Sequence, residues 1–91
     1  MSVTITSAKL TGTTVRAEAN SAGEAPTWNL KILTIPGPSP QYTNVSPSDS
    51  GGSGGHYFAI WNNVTAPPAS CTVVANIGSS KIDFSRVVVG P

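Results

Sequence analysis

The chain has 91 residues, five Lys+Arg against four Asp+Glu (net charge +1), 38% apolar residues, nine glycines and eight prolines. That length makes one domain, residues 1–91, near the size where a single core becomes marginal, burying roughly 60–65% of the surface of the unfolded chain. The cations Lys9, Arg16, Lys31, Lys81 and Arg86 are too scattered for nucleic-acid binding, the single Cys71 excludes an intrachain disulfide and a cysteine metal cage, and no apolar run could span a bilayer.

No charged-then-apolar leader follows Met1, so export by a standard leader is not expected. Val3-Thr4-Ile5 alternates, then Ala8 and Leu10 take up the opposite parity. A parity switch inside one strand needs a bulge or a kink, and in two-sheet folds the first strand often makes it while passing between sheets. Thr11-Gly12 signals a turn. From Thr13 to Asn20, Val15, Ala17 and Ala19 share one face and Arg16 and Glu18 the other. Unpaired charges cannot be buried, so the Val15 face is the core face.

Residues 21–27 have the composition of a loop. Trp28 to Ile35 is the organising strand: it alternates from Trp28 to Ile32, begins after Pro26 and stops at Pro36. Pro36-Gly37-Pro38-Ser39-Pro40 breaks any ladder and is expected to run stiff and extended. Gln41 to Val45 is a short strand anchored by Tyr42. Residues 46–55, with the run Gly51-Gly52-Ser53-Gly54-Gly55, are expected to be the most flexible part of the chain and resemble a linker.

His56 to Asn62 is the aromatic strand, followed by a loop at 63–68 and a strand over Cys71 to Ala75. A tight connection at 77–80 leads to Ile82 and Phe84 on one face, opposite Asp83 and Ser85. An apolar run, Arg86 to Val89, follows. No segment keeps a 3.6-residue period over three turns. About seven short strands between turn signals predict an all-β, two-sheet antiparallel sandwich. The expected core is Val15, Ala17, Trp28, Leu30, Ile32, Phe84 and either Val73 or Val74.

Val15–Ala19, Trp28–Ile32 and Cys71–Ala75 resemble strands B, C and F of an immunoglobulin-like domain, with Trp28 in the place of the core tryptophan of strand C and Cys71 near that of the strand F cysteine. Ala17 stands where the partner cysteine would be, and Ala69 where the tyrosine corner would put a tyrosine. Small unlinked modules of this kind are similar to domains of bacterial surface proteins and of tailed-phage virion accessory proteins. The resemblance implies a virion location and a capsid decoration protein docking on the major capsid protein. Its alternative is an extracellular adhesin-type repeat.

Candidate sites are few. His56 is the only histidine, with Asp49 the nearest carboxylate in sequence, and no spacing supports a catalytic set. The expectation is no enzyme, no cofactor and no metal site. The apolar neighbours of Cys71 predict a buried, inert thiol. Asn-x-Ser/Thr matches at Asn44 and Asn63 are expected by chance in so polar a chain. Tyr57 and Trp61 share a strand face roughly 13 Å apart at ~3.3 Å per residue. Exposed, they would stack sugar rings, giving a glycan-binding alternative; buried, they would leave Phe58 and Ile60 facing a loop or a partner. The aromatic strand and the chain ends, Val88 included, are the expected contacts with a protein partner, because one small core cannot bury all their apolar side chains.

Overall fold

The computed structural model describes residues 2–35 and 37–90. Met1, Pro36 and Pro91 lie outside the described residues, and with them the expected break at Pro36.

Among the described residues nine strands form two sheets: β1 (Val3–Thr11), β2 (Thr14–Ser21), β3 (Thr27–Thr34), β4 (Gln41–Val45), β5 (Asp49–Ser53), β6 (His56–Trp61), β7 (Cys71–Ile77), β8 (Lys81–Arg86) and β9 (Val88–Val89). One sheet has the order β5-β6-β2-β1-β9 and the other β4-β3-β7-β8. All pairs are antiparallel except β1 with β9. The fold is a β-sandwich, with one 3₁₀ turn at Pro68–Ser70 before β7.

Each strand alternates because one of its faces is buried. On β2, Val15, Ala17 and Ala19 are fully buried, and register places them beside Trp61, Ala59 and Tyr57 of β6. On β3, Trp28 and Leu30 turn inward toward Ala75 and Val73 of β7, while Ile32 is half-buried at the edge of the core. Trp28 and Trp61 meet across the sheets edge to face, at 6.3 Å between centroids and 78° between planes. This is the geometry that the ring quadrupoles favour.

The parity switch in β1 is a bulge: its register with β2 shifts between Ile5 and Ser7. The expected passage between sheets does not occur, since β1 pairs with β2 from Val3 to Thr11. The glycine run also differs from expectation. Asp49–Ser53 is strand β5, paired with β6, and Gly54 and Gly55 form the two-residue turn between them with φ of 66° and 91°. Positive φ at both central positions matches the twist of a hairpin, and only glycine adopts it freely. Strand β5 and the division of the terminal run into β8 and β9 raise the strand count above the seven expected.

The largest correction concerns β8. Phe84 is 57% exposed and Ile82 47%, whereas Asp83 and Ser85 occupy the inward positions opposite Ala75 and Val73. The reason lies in β1, which packs beside β8: the Asp83 carboxylate accepts a 2.7 Å hydrogen bond from the Ile5 backbone N–H, next to the bulge. Both Val73 and Val74 are buried, but only Val73 belongs to the core; Val74 lies on the outer face, beside Phe84.

Candidate functional site

The residues expected to make contacts separate into three environments. Trp61 is 1% exposed, and its indole N–H donates to the Val45 carbonyl at 3.0 Å. Tyr57 is half-buried against the core. An exposed platform of Tyr57 and Trp61 therefore does not exist, because both residues face inward and Trp61 offers no ring face to a sugar. Tyr57 instead lines a shallow cleft of about 170 Å³ with Pro26, Trp28 and residues 50–52. No charged side chain lines it.

Val88 is 54% exposed and pairs with Lys9 at the β1 edge. The first residues are less available: Val3 is in the core and the stretch from Val3 is β1, so removing residues 2–6 would open the sandwich.

On the outer face of the five-stranded sheet, register across β2 and β6 brings His56 to Glu18 rather than to Asp49. The His56 Nε2 lies 3.0 Å from Glu18 Oε1, and Nδ1 lies 3.2 Å from Asn20 Oδ1. Arg16 Nη1 contacts the other Glu18 oxygen at 3.0 Å, and its guanidinium covers the Phe58 ring at 5.7 Å. The hydrogen bond from His56, helped by Arg16, holds the Glu18 carboxyl below its ordinary range. Both imidazole nitrogens face these partners, and among the described residues no hydroxyl is bonded to the ring. Sequence separation hid this cluster; period-2 pairing of β2 with a neighbour was the signal that could have found it.

Burial pushes the Cys71 thiol upward, and its Sγ–H points to the Pro67 carbonyl at 3.4 Å. Among the described residues no group of three or more His, Cys, Asp or Glu side chains could hold a metal ion.

The remaining candidate is the outer face of the four-stranded sheet. Register aligns Tyr42 with Leu33, Val74 with Phe84, and Ile82 with Asn76, all pointing away from the core. Tyr42 is 61% exposed, and Phe84 and Ile82 are largely open as well. Between them run Asn44, Lys31, Thr72 and Arg86. The Lys31 Nζ stands 6.0 Å above the Phe84 ring. Among the described residues, Lys31 and Arg86 are the charges on this face and no carboxylate shares it, because Asp83 points inward. Geometrically this is a shallow surface with apolar side chains and a weakly cationic rim. No protein-family model, curated protein sequence or solved structure matches the chain.

Proposed function

We propose that this protein is a non-enzymatic docking module of immunoglobulin-like type that attaches to a large protein assembly through the outer face of its four-stranded sheet. The observation that carries the reading is the outward Phe84 and Ile82 on β8, with Val74 beside them. A strand that turns its apolar side chains to solvent and its carboxylate inward gains from a covering partner, at roughly 25 cal/mol per Å² of apolar area removed from water. The occupant is a protein surface with an apolar centre and an acidic rim, complementary to Lys31 and Arg86. The strand orders support the type: β5-β6-β2-β1 and β4-β3-β7-β8 correspond to D-E-B-A and C′-C-F-G of such domains.

Among assemblies served by small modules of this kind, the capsid of a tailed phage is the specific reading, with the major capsid protein as partner and the virion as location. That choice comes from the resemblance of the three strand segments. The test is cosedimentation with purified capsids for the wild type and Phe84→Glu, at about 0.1 M and about 1 M salt. Wild-type binding should survive high salt, because two cations contribute little beside the apolar contact, and the variant should remain folded in the supernatant. Binding that Phe84→Glu leaves intact, or that high salt abolishes, would reject this face as the contact. Failure of the wild type to bind any capsid would reject the decoration reading.

A further inference from the structure

We infer that β4 is a self-pairing edge: two copies of this chain join antiparallel through Gln41–Val45, so that two four-stranded sheets become one of eight. Each sheet of the sandwich has two outer strands, and three of the four carry features that discourage pairing. β9 has only two residues. β5 holds Gly52 at a φ of 127°, outside regular strand geometry. β8 turns the charged Asp83 inward, a feature that edge strands use against pairing.

β4 has none of these features. Its five residues include no charge, no proline and no glycine, and all except Val45 are exposed. Pro40 and Pro47 flank it, which suits full overlap with Thr43 on the two-fold axis. In that register Thr43 meets Thr43 of the other copy, a favourable cross-strand pair, and Tyr42 lies opposite Asn44 in both directions. The two Tyr42 rings become diagonal neighbours about 7–8 Å apart at their Cβ atoms, within reach of each other. Their exposure in the single chain then has a cause. A neutral strand meeting itself brings no like charges together, which makes a second copy a better occupant than a charged foreign strand.

Pairing of this kind keeps both outer faces on the same side of the joined sheet. A dimer would therefore present two docking faces in one direction, with the gain in avidity that follows from linked sites. The inference stands without the docking reading, and its test does not involve a partner assembly.

The experiment is sedimentation equilibrium of the whole chain from micromolar to millimolar concentration. The wild type should show a monomer–dimer equilibrium, weak because a five-residue strand pair is a small interface. Thr43→Lys and Thr43→Glu each place like charges on the axis and should weaken association roughly fivefold. An equimolar mixture of the two should recover association at least as tight as the wild type. Thr43 is exposed, so both variants should keep the wild-type CD spectrum, and Phe84→Glu should leave the equilibrium unchanged. A wild type that stays monomeric throughout, variants that dimerise undiminished, or a mixture no tighter than its parts would each overturn the inference.

Discussion

Asp83 shows how one side chain can set the orientation of a strand. Its carboxylate accepts the Ile5 N–H at 2.7 Å where β1 bulges, in a half-buried position. Asp83→Ala removes the acceptor and should cost about 1–3 kcal/mol, the range for leaving a buried backbone donor unpaired. Urea denaturation would measure it; a loss within a few tenths of a kcal/mol would show that water replaces the carboxylate freely. Glu18 acts on pH dependence. Its folded-state carboxyl lies below the ordinary 4.5, chiefly through the His56 hydrogen bond. A depressed carboxylate stabilises the fold above its unfolded value, and the contribution disappears as pH falls through the folded value. Stability should therefore drop as the pH falls below about 4.5 and through the lower folded-state value. In His56→Ala the NMR titration of Glu18 should move back up toward 4.5. The energy involved is small, because the pair sits in solvent on the sheet surface.

At the scale of elements, β5 is the segment where composition and structure diverge most. A run of glycines has the composition of a linker, yet its glycines meet separate geometric demands. A Cβ at Gly52 would lie 2.3 Å from the His56 carbonyl oxygen and 2.6 Å from the Tyr57 Cα, at a φ of 127°. Gly54 has a φ of 66° but opens onto empty space. Gly52→Ala should therefore cost more than about 2 kcal/mol and shift β5 off β6, whereas Gly54→Ala should cost only about 1 kcal/mol. Thermal denaturation of the two variants separates these outcomes. Equal losses would mean that the hairpin tolerates side chains at either place. A flexible linker would tolerate both changes, so the pair of variants also tests whether residues 51–55 form a strand and turn in solution.

At the scale of the molecule, the core depends on two tryptophans in contact across the sandwich. Trp28→Ala and Trp61→Ala should each cost about 3–5 kcal/mol, a large part of the about 5–15 kcal/mol that holds a domain together. Trp61→Ala also leaves the Val45 carbonyl without its indole donor and should be the worse of the two. Comparison of the two midpoints in denaturant checks the ranking. With the core built around these rings, further large apolar side chains on β4 and β8 stay outside it. Tyr42, Ile82 and Phe84 define the surface through which this small, nearly neutral domain is proposed to act.

Period-2 alternation, turn residues and buried charge cost determined a good deal from the sequence alone: two packed sheets, the inward faces of β2 and β3, the bulge in β1 and the burial of Cys71. These are local consequences of which residues can leave water. Alternation leaves the sign of a strand undetermined when both parities are plausible. It fits β8 equally with Phe84 inside or outside, and it leaves Trp61 open to either a core or a platform role. Tertiary structure decided both. Phe84 turns outward because a carboxylate is used beside the β1 bulge, and Trp61 is enclosed because the Val45 carbonyl and the Trp28 ring lie on its side of the sheet. Long-range partners of this kind, 78 residues apart for Ile5 and Asp83, leave no periodic trace in the chain.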